Sequence, residues 1–190
     1  MSLELANAAL MLAALGAYVV LGGADFGAGV WDLFARGARA RRQRELLANA
    51  IAPIWEANHV WLIAVVVVLF TAFPRAFAGI MTALHVPVTL ALIGIVARGT
   101  SFVFRAYSPD DESTQRRWSL VFSIASLITP ILLGMTLATI ASGALHWNDG
   151  VYTSGFFVPW IRPFPIATGL LTLALFAHLA AVYACIEADD

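Results

Sequence analysis

Residues 54–73 read IWEANHVWLIAVVVVLFTAF, and after Glu56, Asn58 and His59 the only polar residue is Thr71. A run of about 20 residues this apolar is long enough to cross a bilayer as a helix. An ionisable group at the centre of such a helix costs roughly 2.5–3.5 kcal/mol, and less near its ends. A chain carries that cost where the group faces protein or a water-lined interior. Glu56, at the mouth of the span, is therefore a candidate functional residue.

The rest of the chain fits this reading. Of its 190 residues 61% are hydrophobic and 12% charged, against about 25% charged in soluble domains. Four further apolar runs lie near 5–23 (continuing as helix to Phe34), 80–104, 120–145 and 164–186, beside one at 53–73 that Pro53 can open. The expectation is an all-α, polytopic membrane helix bundle of about five spans, forming a single transmembrane domain over 1–190. Glu4 replaces a basic leader, so the first run reads as a retained helix rather than a signal peptide. Pro87 and Pro130 fall inside spans, where neighbouring helices can satisfy the carbonyls they free. An odd number of spans ending at Glu187-Ala-Asp-Asp190 suggests the N-terminal half or more of a longer or split subunit. The net charge of −1 argues against nucleic acid, and the single Cys185 excludes an internal disulfide.

All eleven basic residues are arginines, and their placement orients the bundle. The first loop holds Arg36, Arg39, Arg41, Arg42 and Arg44; the third holds Arg105, Arg116 and Arg117; the second and fourth hold only Arg75 and Arg162. The positive-inside rule puts loops one and three in the cytoplasm, the N-terminus outside and the C-terminus inside. Trp147, Tyr152 and Trp160 then flank the outer fourth loop as an aromatic belt.

This orientation sets Asp25, Glu56 and Arg98 at similar depth near the cytoplasmic side. They would form a buried carboxylate pair with a counter-charge. Burial and like charge favour a neutral carboxylate and an arginine favours the ionised one, so such a group can be tuned to pass protons. A static ion pair locking three helices is the alternative. Gly23 and Gly27 have the spacing that lets helices approach closely. A nucleotide-binding reading of these glycines fails because no strand precedes them. His59 lies three residues after Glu56, within reach of a shared network. His59, His85 and His178 occupy three different spans, and only His59 and His178 fall on the same side, so haem ligation would have to use those two. No metal-ligand spacing stands out elsewhere.

Three motifs carry a family resemblance: LGGADFGAG at 21–29, APIWEANHVWLI at 52–63 and FTAFPRAFA at 70–78. Together with Arg98-Gly-Thr-Ser-Phe102 and Phe104-Arg105, they closely resemble subunit II of the cytochrome bd-type quinol oxidases, including the cyanide-insensitive branch, over essentially the whole chain. The resemblance implies the non-haem subunit of a terminal oxidase in the bacterial inner (cytoplasmic) membrane, taking electrons from a quinol and reducing dioxygen to water. It places haem b and haem d in a partner, subunit I, and none in this chain. A structural quinone or lipid would be the remaining non-protein contact. It also implies that Asp25 and Glu56, with His59 and Arg98 nearby, belong to a proton route, and that Trp55, Asn58 and Trp61 serve the motif and subunit packing with Gly23 and Gly27. Some relatives carry a second acid where this chain has Gly22, so a route using two carboxylates on the first span is not expected. A small proton-coupled transporter is the competing function, although such transporters show inverted repeats with broken helices, which are not evident here.

Overall fold

The computed structural model describes residues 2–51, 55–107 and 112–189. The expected helix start at Pro53 lies outside the described residues. The first helix, α1 (Leu3–Ala17), is capped by the Ser2 hydroxyl, which accepts from the Leu5 amide at 3.3 Å. It runs through a π-helical turn, Tyr18–Gly22, into α2 (Gly23–Phe34). Dihedrals at both junctions are right-handed helical, so these pieces form one continuous rod. The π turn widens the hydrogen-bond register by one residue, a distortion often seen at functional sites.

Ala35 breaks the rod with extended backbone (ψ 109°), and Gly37, at φ +75°, reverses the chain into α3 (Ala40–Ile51). This helix fills the arginine-rich first loop, for which the apolar pattern gave no span. After α4 (Trp55–Ala72), a single residue, Phe73, leads into α5 (Pro74–Tyr107). Arg75 therefore lies in the first turn of α5 rather than in a loop. The long α5 kinks at Leu84 (φ −118°, ψ 21°), ahead of Pro87, whose ring clashes with the carbonyl four residues back. The next helix, α6 (Glu112–Ala141), carries Arg116 and Arg117 exposed near its start. It stops short of the expected 145 because Gly143 adopts φ +67°, a left-handed geometry suited to ending a helix. Strands β1 (Trp147–Asn148) and β2 (Val151–Tyr152) form a hairpin closed by Asp149 and Gly150, both at positive φ. Helix α7 (Pro163–Asp189) completes the described chain.

Among the described residues, five helices are long and apolar enough to cross a membrane: Leu3–Phe34, Trp55–Ala72, Pro74–Arg105, Ser113–Ala141 and Pro163–Ala188. The chain is a multi-pass, all-α membrane protein. Helix α6 is its centre, packed against α2, α5 and α7, whereas α4 lies at the margin against α1 and the π turn. Small residues permit the tight crossings. A side chain at Gly27 would overlap the Phe176 carbonyl, and one at Gly94 would meet the Thr129 hydroxyl. Close backbone approach of this kind lets helices associate in lipid, where the hydrophobic effect does not drive them together. The outward faces of α1 and α4 present Leu5, Leu12, Val60, Ile63 and Phe70.

A buried acid–arginine ladder as the candidate site

Helix α2 turns Asp25 and Asp32 inward, two helical turns apart on one face. Arg98 and Arg105 have the same spacing on α5. The two pairs meet with an identical sequence offset, 73 residues, so the contacts form two rungs of a ladder. In the upper rung, Arg98 Nη2 donates to the Asp25 backbone carbonyl at 2.8 Å. In the lower, Arg105 Nη2 donates to Asp32 Oδ1 at 3.3 Å. The ring of Phe122, on α6, lies 5.4 Å from both guanidinium carbons, and Phe26 lies 5.0 Å from that of Arg98. Aromatic faces thus supply part of what these buried cations lose on leaving water.

The Asp25 side chain is fully buried, at 0% exposure, and Arg98 is 2% exposed. Asn58 Nδ2 lies 3.1 Å from Asp25 Oδ2 and 3.1 Å from the Leu21 carbonyl, and donates to both. The Leu21 carbonyl belongs to the π turn, so the helix distortion and the Asn58 contact coincide. Asp25 Oδ1, the Arg98 Nε and the Tyr18 hydroxyl are buried with no hydrogen-bond partner among the described residues. Such groups cost about 1–3 kcal/mol each when left unpaired, so they mark a place where stability was not the only constraint. A carboxylate with one oxygen anchored and the other unpaired can take up or release a proton without losing its position.

The structure gathers Asp25, Arg98 and Asn58 but not Glu56. The expected buried carboxylate pair is absent: Glu56 is exposed, in the first turn of α4. The reason is helical geometry. Asn58 is two residues further on, about 200° around the helix at about 100° per residue, so turning Asn58 toward α2 turns Glu56 away. The expected link between Glu56 and His59 is not made either. His59 Nδ1 is 2.9 Å from the Trp55 carbonyl of its own helix. Its ring is enclosed by Tyr18, Phe26 and Trp55 at centroid distances of 6.1, 6.0 and 6.2 Å.

The remaining expected residues divide between the interior and the surface. Gly23 and Gly27 lie against Phe176 of α7, while Trp55 packs on Phe102 at 5.7 Å and flanks Gly99. Trp61 is 41% exposed on the outer face of α4. His178 is exposed on α7 and is not among the ring neighbours of His59. His85 packs on Phe156 at 4.9 Å, beside the β hairpin.

The lower rung was not anticipated. Among the described residues, Asp32 receives Arg105 from α5, Arg44 from α3 at 3.5 Å and the Ser123 hydroxyl of α6, which donates at 3.1 Å. The available signal was the repeat itself, Asp25 to Asp32 and Arg98 to Arg105 at one helical spacing.

Comparison with known proteins accords with this architecture. The family model described as cytochrome bd terminal oxidase subunit II matches residues 3–190. The chain is 32% identical over 162 residues to the cytochrome bd ubiquinol oxidase subunit 2 of Bacillus subtilis (strain 168), covering 85% of this chain and 47% of that protein. It is 26% identical over 169 residues to the cytochrome bd-I ubiquinol oxidase subunit 2 of Escherichia coli (strain K12), covering 87% of this chain and 44% of that protein. The chain spans about half the length of the curated relatives it matches. Matched along nearly its whole length, it belongs to the cytochrome bd terminal oxidase subunit II family.

Proposed function

We propose that this chain acts as the non-haem subunit of a terminal quinol oxidase in the bacterial cytoplasmic membrane. There it stabilises a haem-bearing partner and contributes to a proton route from the cytoplasm. Quinol oxidation and dioxygen reduction belong to the complex, with haems b and d held by the partner. Asp25 is the proposed proton-carrying group. Arg98 balances its charge, Asn58 holds it in place, and His59 lies in the same aromatic enclosure. Glu56 is a second candidate. It faces out of the chain on α4, so a proton it carries would pass along the surface that a partner covers.

The observation that supports this reading best is the Asp25 carboxylate, fully buried in an apolar bundle with one oxygen unpaired. An ionisable group in such a position is a functional candidate by default. The test is co-expression with a haem-bearing subunit I, followed by purification through a tag on this chain. A coloured complex that oxidises quinol with oxygen supports the proposal. A colourless preparation from cells that make both chains refutes it.

A further inference from the structure

Beyond Asp25, toward the arginine-rich end, α2 presents Ala28 and then Asp32 on the same buried face. Between them lies a cleft of about 10 Å³, lined by Ala28, Asp32, Arg44, Leu47, Phe102 and Phe122 among others. That is about the room one water molecule needs. Phe122 forms part of the cleft wall and its ring lies 5.4 Å from the Arg98 guanidinium carbon, while Ala28 is about one helical turn from Asp25 on α2, so the cleft and the Asp25–Arg98 rung share a wall. The outer wall is α3, which contributes Arg44 and Leu47.

Among the described residues, two attachments hold α3 there. Leu47 clusters with Ala28, Trp55 and Ala184. Arg44 reaches Asp32 with its Nε at 3.5 Å from the carboxylate, and its Nη2 donates to the carbonyls of Asp32 and Ala35 at 3.4 and 3.1 Å. The opposite face of α3 is solvent-facing, and its Arg41–Glu45 pair bridges only α3 itself. Asp32 does not depend on Arg44 alone. Arg105 and Ser123 still hold its carboxylate when Arg44 leaves, so release strands no buried charge. The Arg44 side chain is already 37% exposed, so on release it passes readily into water.

We propose that α3 is a cap over the approach to Asp25, latched by Arg44 on Asp32, and that the cleft beneath it admits water to Asp25 when the latch opens. This gives the arginine-rich first loop a role beyond orienting the chain. The importance of the passage rests on the reading of Asp25 as a proton carrier, but its existence does not.

The test reads access directly. In the assembled complex, in inside-out membrane vesicles and a Cys185→Ser background, the rate at which a small methanethiosulfonate reagent modifies Ala28→Cys is compared with and without Arg44→Gln. With Arg44 present the thiol at position 28 reacts slowly. Arg44→Gln raises its rate severalfold, as expected when a charge-assisted hydrogen bond that limits local opening is removed. Arg44→Lys restores slow reaction, and an exposed reference ahead of α3, Ala38→Cys, reacts at one rate throughout. Phe102→Cys gives the same comparison from the other wall should Ala28→Cys impair accumulation. Equal rates with and without Arg44, or fast reaction with Arg44 in place, overturn the cap. Because the measurement involves no turnover, its failure is distinct from failure of the proton-carrier reading.

Discussion

Asn58 on α4 and Asp25 on α2 are joined by a 3.1 Å hydrogen bond, and the same amide nitrogen reaches the Leu21 carbonyl in the π turn. One side chain from α4 thus ties the distorted turn to the buried acid. This contact accounts for an amide buried in an otherwise largely apolar span.

Asn58→Leu keeps the branched shape, though not the volume, and leaves Asp25 Oδ2 and the Leu21 carbonyl without this donor. Loss of a buried partner costs about 1–3 kcal/mol. Thermal unfolding of the purified chain in detergent should show a clear fall in Tm, whereas Trp61→Leu, on the outer face of α4, should leave it nearly unchanged. Equal effects would show that α4 does not dock through Asn58.

Arg98 and Asp25 should be energetically coupled. Arg98→Met removes the donor to the Asp25 carbonyl and leaves the buried acid without the cation beside it, a change that is destabilising in a low-dielectric interior. Folded yield should collapse. Asp25→Asn combined with Arg98→Met should recover much of it, because removing both charges leaves neither stranded. A double variant as poor as the sum of the singles would mean that the two do not act as a pair.

The glycines separate cleanly by environment. Gly27→Ala places a methyl group into the Phe176 carbonyl and should force α2 and α7 apart, whereas Gly16→Ala meets nothing within 4 Å. Protease resistance of the membrane-embedded chain should fall for Gly27→Ala and hold for Gly16→Ala.

Much of this architecture is legible in the sequence, for identifiable reasons. Apolar runs long enough for a bilayer announce the spans, and the arginine imbalance sets a common depth for Asp25 and Arg98. What stays hidden is rotation. Helix α4 is apolar on all sides, so no stripe indicates whether Glu56 or Asn58 turns inward. Helix α3 is hidden for another reason: a short arginine-rich segment gains its helix from tertiary docking of Leu47 and Arg44. Asp32 was masked by its place beside the basic loop, although its spacing from Asp25 was available. The hairpin had a readable signal in Asn148-Asp-Gly150, a turn sequence that favours positive φ.

Orientation is testable without any partner. In a Cys185→Ser background, Ser154→Cys should react with a membrane-impermeant maleimide in intact cells, and Ala40→Cys should react only after permeabilisation. The reverse pattern would invert the bundle and put α3 outside.

The most direct test of the central claim is Asp25→Asn in an assembled, haem-containing oxidase, with haem content and quinol-driven oxygen consumption measured on the same preparation. Asparagine keeps the shape and the hydrogen-bond reach but cannot take up and release a proton. Whatever the yield of complex, the account predicts oxygen consumption per haem reduced at least about tenfold, within the range of positioned proton transfer. Unchanged turnover per haem, even with a lower yield of complex, would contradict it and leave Asp25 as a structural partner of Asn58 and Arg98.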